Sequence, residues 1–115
     1  MTQFIYKIMN TALWTRFEAE GICHGAPVDL EDGFIHLSDG TQVAETARRH
    51  FTGQTDLVLL RFDAAHFGDA LKWEPSRHNA LFPHLYRPLS SEDIVRVDAL
   101  PLGPDGFHDF SGLLA

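Results

Sequence analysis

The run Gly33-Phe34-Ile35-His36-Leu37-Ser38 and its distant counterpart Phe82-Pro83-His84-Leu85-Tyr86 decide the fold of this chain. Each run has the pattern of a short apolar strand that carries one histidine among residues expected in the core. A buried polar ring needs a hydrogen-bond partner, because it loses its hydration when it enters the core. Two such strands in a chain of 115 residues predict that the two histidines share one pocket.

Length and composition predict one globular domain over residues 1–115. Apolar residues make up 44% and charged residues 22%, which is typical of a folded domain. The formal net charge of −7 disfavours extended binding to nucleic acid, since phosphate contacts need clustered Lys and Arg. The single cysteine, Cys23, excludes an intramolecular disulfide and is interpreted as a buried apolar residue.

The termini and the apolar runs indicate where the protein works. No apolar run reaches the ~20 residues that span a bilayer. The first residues lack the basic and apolar regions of a signal peptide. We therefore expect a cytoplasmic protein with no membrane partner.

Local patterns predict an α+β fold. A strand over residues 4–9 should lead into a helix that is capped by Asn10 or Thr11 and ends near Glu20, with Gly21 as its stop. Ser38 or Asp39 is expected to cap a second helix that ends near His50. Residues 22–32 are predicted to form a loop or a weak strand, and the tail from about residue 101 to be irregular.

The strands should form a bent or split, mostly antiparallel sheet of about six strands with two main helices. Residues 57–62 have no polar side chain before Arg61, which is typical of a strand buried on both faces. Pro83 predicts an edge strand or a bulge. The other predicted strands cover residues 33–37, 70–74, 81–86 and 94–99, and a mobile polar loop at 75–80 should lie beside the site.

Candidate site residues follow from the two-residue period of a strand. His36 and Ser38 project from one face, where an imidazole and a hydroxyl can bind a ribose or phosphate oxygen. Ser38 also lies at the expected start of a helix, whose free N–H groups favour an anion. The alternative is that Ser38 only caps that helix and that His36 bonds a backbone carbonyl.

A second group of candidates surrounds His84, which shares a strand face with Tyr86. Glu74 ends another strand and is a general base, a ribose-binding carboxylate or a surface ion-pair partner. Trp73 is either a core residue or a stacking platform for a ring. Lys7 is either exposed to solvent or a cation in the cleft.

The sequence patterns for a metal site or for a catalytic nucleophile are weaker. His36, His84 and Glu74 have the residue types of a two-histidine, one-carboxylate site, but no tight histidine spacing supports a metal. Ser38 lacks the glycines of a nucleophile elbow, and Cys23 has no identifiable base. We therefore assign no metal ligands.

The order of motifs resembles a family of small bacterial proteins known as the domain of unknown function 952 family. That family has no established reaction, so the resemblance implies a fold more than a function. The matching pieces are Ile5-Tyr6-Lys7-Ile8, Trp14, residues 32–38, Gln42, Phe51, residues 56–60, Trp73-Glu74, residues 82–86 and Pro88-Leu89.

A more distant resemblance points to the RNA 2′-phosphotransferase branch of the ADP-ribosyltransferase-like fold. It rests on His36-Leu37-Ser38, on Val43-Ala44 in the next helix and on the apolar strand at 57–60. The resemblance implies that NAD binds in the cleft of a split sheet and that ADP-ribose is transferred to a phosphate.

The same resemblance implies roles for single residues. Lys7 stands where those enzymes place a His or Arg in the first strand. His36 and Ser38 fall on the motif that contacts the nicotinamide side of NAD. Glu74 or His84 would lie near the third motif.

The leading hypothesis is a pocket for a nucleotide or another phosphorylated small ligand, in a possible transferase. Its catalytic candidates are His36, Glu74 and His84, and its ligand-binding candidates are Lys7, Ser38, Trp73, Arg77 and Tyr86. The competing hypothesis is a non-catalytic binding or regulatory module, which the lysine at position 7 favours. A third hypothesis is a metal-dependent hydrolase.

Overall fold

The computed structural model describes residues 2–115, and every structural statement below concerns that range. The strands are β1 Phe4–Asn10, β2 Ile22–Cys23, β3 Ile35–His36, β4 Ser38–Asp39, β5 Leu57–Asp63, β6 Leu71–Pro75, β7 Leu81–Leu85, β8 Leu89–Ser90 and β9 Ile94–Leu100. The α-helices are α1 Thr11–Glu20, α2 Pro27–Asp32 and α3 Val43–His50. Three 3-10 segments cover Ala64–Ala70, Arg77–Asn79 and Ser91–Asp93.

The sheet is split in the way the sequence predicts. A four-stranded sheet has the order β4-β1-β5-β9, a three-stranded sheet has the order β3-β7-β6, and β2 pairs with β8. Every pairing is antiparallel. Only Leu37 separates β3 from β4, so one extended segment leaves the three-stranded sheet and enters the four-stranded sheet. The α+β class with antiparallel sheets is therefore confirmed.

The four-stranded sheet forms the core of the molecule. Residues 57–60 of β5 are all buried, which confirms the predicted central strand. Alternate side chains enter two apolar clusters on opposite faces, as the period of a strand requires. One cluster contains Ile5, Met9, Phe17, Leu60 and Phe62, and the other contains Tyr6, Ile8, Val43, Ala47 and Leu59.

The first helix has the ends that the sequence predicts. The Asn10 side chain accepts a hydrogen bond from the Leu13 N–H at 2.7 Å, which caps the helix start. Gly21 adopts a left-handed conformation at φ 73° and donates its N–H to the Phe17 carbonyl. This conformation strains residues with a Cβ, so the glycine ends the helix at low cost.

The region of residues 22–42 differs from the prediction. Residues 27–32 form a helix rather than a loop, with Pro27 in its first turn and the Asp29 carboxylate accepting the Ala26 N–H at 2.7 Å. Ser38 and Asp39 do not begin the next helix, because their backbone pairs with Tyr6 and Ile5 of β1. Helix α3 begins only at Val43.

The prediction that Pro83 marks an edge strand or a bulge is wrong. Pro83 lies in β7, the middle strand of its sheet, and pairs with Trp73 in an unbroken register. Its carbonyl accepts the Leu37 N–H at 3.1 Å. The Pro83 nitrogen, which has no hydrogen to donate, faces the same neighbouring strand as the Pro83 carbonyl. That strand, β3, ends at this point, so the proline removes only one hydrogen bond from the ladder.

The tail after residue 100 has no helix or regular strand, as the sequence predicts, apart from one isolated bridge between Leu102 and His108. Phe110, Leu113 and Leu114 pack against the second apolar cluster. Within residues 2–115 no helix is long and apolar enough to cross a membrane.

Candidate active site

The three-stranded sheet has one apolar face and one polar face. Ile35 and Leu71 both pair with Leu85, and this row faces the core. His36 and Lys72 both pair with His84, so these three side chains project from the opposite face. The centroids of the two histidine rings lie 5.6 Å apart. The two distant histidine strands are thus adjacent, and we call this polar surface the histidine face.

His84 is held by a carboxylate at one end of its ring. Its Nδ1 lies 2.8 Å from Glu74 Oε1, and the Tyr86 hydroxyl donates to the same oxygen at 2.7 Å. The hydrogen bonds from Tyr86 and His84 hold the pKa of Glu74 below its usual range, and the bond to Glu74 raises the pKa of Tyr86. Glu74 therefore remains ionised near neutral pH and orients the His84 ring.

His36 is held by carboxylates at both ends of its ring. Its Nδ1 lies 2.6 Å from Asp29 Oδ1, and its Nε2 lies 2.9 Å from Asp32 Oδ2. Nδ1 hydrogen-bonds Asp29, whereas the Asp32 carboxylate lies close to Nε2 without forming a hydrogen bond. Both ring nitrogens of His36 therefore have a carboxylate within 3.0 Å.

Asp29 joins three segments of chain beneath His36. Its side chain is fully buried, and it accepts hydrogen bonds from the backbone N–H groups of Ala26 and His36. Lys7 Nζ lies 2.9 Å from Asp29 Oδ2 and donates to the His36 carbonyl at 3.0 Å. Burial alone would raise the pKa of Asp29, but the hydrogen bonds from His36 and the charge of Lys7 outweigh it and lower that pKa well below its usual range.

Phe34 covers the histidine face. Its ring stacks on His84 with a centroid distance of 4.1 Å and an interplanar angle of 26°. It also lies 5.4 Å from the Tyr86 ring and 4.6 Å from the His36 ring. Because of this cover, His84 is only 5% exposed.

A cleft of about 240 Å³ adjoins this cover. Phe34 and Tyr86 line it together with the side chains of His24, Leu30 and Arg87. Pockets for drug-sized ligands usually measure about 300–1,000 Å³. This cleft can therefore hold one ring or sugar of a ligand, but not a whole nucleotide.

Arg77 lies at the other end of the histidine face. Its guanidinium packs over the Phe82 ring at 4.8 Å, and Phe82 precedes His84 by two residues on the same side of β7. Arg77 Nη2 donates to Thr46 Oγ1 at 3.3 Å, and that hydroxyl lies 2.9 Å from the buried hydroxyl of Ser38. Ser38 therefore belongs to the arginine end of the site and not to the immediate surroundings of His36.

The structure brings most of the sequence-predicted site residues to one surface. His36, Glu74, His84 and Tyr86 form its histidine end, and Arg77 with Ser38 forms its arginine end. Lys7 lies beneath this surface, where it is 7% exposed and paired with Asp29. Trp73 projects to the opposite face of the sheet and packs against the core, so it has no stacking role at this site.

The sequence analysis assigned no role to Asp29, Asp32 or the ring of Phe34. Asp32 and His36 are four residues apart, a spacing at which an ion pair can be expected across a helix end. Proline followed two residues later by Asp29 is a signal for the first turn of a helix. Neither signal shows that the Asp29 side chain turns inward to Lys7.

Within residues 2–115, no three side chains of His, Cys, Asp or Glu are arranged to hold a metal ion. Each histidine of the face already faces a carboxylate through a hydrogen bond. The arrangement suits proton transfer and the binding of a polar ligand.

The fold and the site define a small α+β protein with split antiparallel sheets and a face of paired histidines and carboxylates. The family model described as protein of unknown function (DUF952) matches residues 8–97. The chain belongs to this family.

Solved structures of one relative agree with this assignment. The crystal structure of protein CC0527 from Caulobacter crescentus has 49% sequence identity and a TM-score of 0.90, and the match covers 94% of this chain and 95% of that chain. The solution NMR structure of CC0527 has 49% identity and a TM-score of 0.87, with 97% of each chain covered. No curated protein matches the chain.

Proposed function

We propose that the histidine face binds a nucleotide or another phosphorylated small ligand and that His84 exchanges a proton with it. One observation carries this proposal. Glu74 occupies Nδ1 of His84, while no group of residues 2–115 hydrogen-bonds Nε2. A carboxylate on one ring nitrogen fixes the tautomer and the orientation of the ring, which prepares the other nitrogen as an acid or base.

The histidine face also offers surfaces for the rest of a nucleotide. Phe34 and Tyr86 provide aromatic rings beside the cleft, and such rings stack on a base or a nicotinamide. Arg77 and Lys72 supply positive charge on the same side of the sheet. A ligand with one ring in the cleft and an anionic group toward Arg77 matches this distribution.

NAD is the ligand that an ADP-ribosyltransferase-like fold implies, and the residues present fit part of it. When bound, NAD supplies an ADP-ribosyl group whose bond to nicotinamide can be broken. In that reaction His84 Nε2 would take the proton of the phosphate or water that attacks the ribose carbon as neutral nicotinamide leaves, Glu74 would hold the His84 ring, and Tyr86 would stack beside the leaving ring. His36, with the Asp29 and Asp32 carboxylates beside its ring nitrogens, would position the strand rather than react.

A second candidate is a non-catalytic binding or regulatory module, and Lys7 favours it. Enzymes of the ADP-ribosyltransferase-like group carry a His or Arg at this position of the first strand. Here the Lys7 ammonium is buried and bound by Asp29 and the His36 carbonyl. It cannot reach a ligand without breaking a buried ion pair, which is costly.

A thermal-shift titration with NAD, ADP-ribose, nicotinamide and simple phosphates tests the proposal. Selective binding to the folded protein stabilises it by ~2.7 kcal/mol at a hundredfold excess of ligand over its dissociation constant. We expect a shift with NAD or ADP-ribose that is reduced in the variant Phe34→Ala. No shift with any of these ligands at millimolar concentration would contradict the proposal.

Turnover separates the two candidates. Release of nicotinamide from NAD should be lost in His84→Gln and reduced in Glu74→Gln, while ADP-ribose still binds, if His84 transfers the proton. Binding without release in the unmodified protein supports the binding module. Asp98→Asn is a matched control, because Asp98 lies on the other sheet and pairs only with Arg96.

A further inference from the structure

We infer that Arg77 and Arg49 form a subsite for a phosphate group. The inference deepens the proposed function, because it assigns the anionic part of the same ligand to one end of the histidine face. Anion binding at this subsite can nevertheless be measured without any nucleotide.

The first observation is that Arg77 is held in place but poorly paired. Its side chain is only 15% exposed, and its Nε is buried without a hydrogen-bond partner. The carboxylate of Glu45 lies 3.6 Å from that Nε, beyond a good hydrogen bond. A buried donor without a partner is costly, so an incoming acceptor gains more here than at a solvated arginine.

The second observation is an excess of positive charge. Arg49 Nε also contacts Glu45, at 3.4 Å, so one carboxylate serves two guanidinium groups. Arg49 Nη2 lies 2.9 Å from His78 Nε2, a contact that adds no negative charge. The cluster therefore carries a local excess of one positive charge in a chain whose net charge is −7.

Two other arginines show what full pairing looks like in this molecule. Arg87 contacts both oxygens of Asp93 at 3.0 Å. Arg96 Nε lies 2.8 Å from Asp98 Oδ2. Each of these arginines has a carboxylate within 3.0 Å. Arg77 and Arg49 instead share the Glu45 carboxylate, at 3.6 Å and 3.4 Å.

The loop that carries Arg77 has an uncommon backbone conformation. His78 and Asn79 both have left-handed backbones, at φ 56° and φ 59°. Such conformations are uncommon in residues other than glycine and are found at ligand clamps. Beside this turn the Arg77 guanidinium packs on the Phe82 ring.

The position of the cluster connects it to His84. Phe82 and His84 are two residues apart on the same face of β7, a separation of roughly 7 Å along a strand. A phosphate bound beside the Arg77 guanidinium would thus lie about one sugar or one further phosphate away from the His84 ring. The planar fork of arginine suits phosphate oxygens, which accept several hydrogen bonds at once.

Titration of the full chain with inorganic pyrophosphate tests the subsite, with the arginine Nε–H signals followed by NMR. We expect the signals of Arg77 and Arg49 to shift while those of Arg48 and Arg96 remain in place. Arg77→Gln should weaken pyrophosphate binding by roughly tenfold or more. Arg48→Gln is the matched control, since Arg48 is on the same helix as Arg49 but packs over the Phe107 ring.

Each outcome decides the inference. Absence of pyrophosphate binding, or equal losses in Arg77→Gln and Arg48→Gln, overturns it. Arg77→Lys keeps the charge without the fork, so a loss as large as in Arg77→Gln supports bidentate binding, and a smaller loss supports binding through charge alone. If pyrophosphate binds through Arg77 but no nucleotide binds, the subsite stands and the proposed function fails. If ADP-ribose binds equally well to Arg77→Gln and the unmodified protein, the subsite fails and the proposed function stands.

Discussion

The two histidines of this protein face each other across one pair of strands, yet their surroundings differ. His36 has a carboxylate at each ring nitrogen, and its side chain is 32% exposed. His84 has a carboxylate at one nitrogen only and is more deeply buried. Exposure alone would select His36 as the reactive group. In our proposal His84 is the reactive group, because only that ring has a nitrogen with no carboxylate beside it.

The comparison shows how two histidines in the same sequence pattern can acquire different surroundings. The carboxylates beside His36 come from helix α2, which precedes its strand. One of them, Asp29, also forms an ion pair with the buried Lys7. The carboxylate of His84 comes from the neighbouring strand and is partly exposed. In our proposal the first network holds the fold, and the second leaves Nε2 of His84 free to transfer a proton. The predictions below test this division.

The largest effect is expected from Asp29→Asn. The substitution keeps the shape of the side chain but leaves Lys7 charged and buried without its partner, and such a loss typically costs about 3–5 kcal/mol. Urea unfolding should show this decrease in the free energy of unfolding. The double variant Lys7→Met, Asp29→Asn should recover part of it, because no buried charge then remains unpaired.

Asp32→Asn provides the contrast on the other side of His36. Asp32 is 44% exposed, so its pair with His36 is screened by water and should contribute about 1 kcal/mol or less. Equal losses in Asp29→Asn and Asp32→Asn would contradict the view that the buried carboxylate holds this network together.

The same network predicts a dependence of stability on acid. The pKa of Asp29 is lower in the folded protein than its ordinary value of 3.8, so the unfolded chain takes up a proton first as the pH falls. The stabilisation is present above that ordinary value and is lost progressively below it. Unfolding measured at pH 6 and at pH 3 should show a smaller pH difference in Asp29→Asn than in the unmodified protein.

A smaller effect is expected when the cover of His84 is removed. Phe34→Ala should raise the rate at which diethyl pyrocarbonate modifies His84 by several-fold, since the stacked ring blocks access to it. The rate at His36 should change little, because the carboxylates of Asp29 and Asp32 stay beside its two nitrogens. Peptide mass spectrometry separates the sites, and a larger increase at His36 than at His84 would refute the comparison.

The smallest effect concerns the tyrosine beside Glu74. The bond to the Glu74 carboxylate raises the pKa of Tyr86, so Glu74→Gln should lower that pKa toward its ordinary value of 10.0. Absorbance of the tyrosinate ion during an alkaline titration measures it, with Asp32→Asn as the control. The urea midpoint should remain nearly unchanged, because Glu74 and Tyr86 lie at the surface.

Some of this structure can be predicted from sequence because the signals are local. The strand at residues 57–60 follows from an uninterrupted apolar run, and helix α1 follows from Asn10 and Gly21 at its ends. The shared surface of His36 and His84 follows from two similar strand patterns. Helix α2 has only six residues and too few periodic apolar positions to stand out. Ser38 is a common helix cap, but pairing with β1 overrides that local preference.

Other features depend on contacts between distant residues. Lys7 and Asp29 are 22 positions apart, and nothing in either neighbourhood shows that both turn into the core. The position of Arg77 is equally hard to predict, because the loop turns through a left-handed backbone at His78, where glycine is the more common residue. The proline in the middle strand is tolerated only because the partner strand ends beside it.

The pair of Lys7 and Asp29 also restricts how this family can change over time. A substitution at either position alone leaves one charge stranded in the core, so most single steps there should be removed by selection. The two positions are therefore expected to vary together, either retained as an ion pair or replaced jointly by uncharged residues. Sequences of relatives that keep one charge and lose the other should carry a third residue that supplies the missing partner.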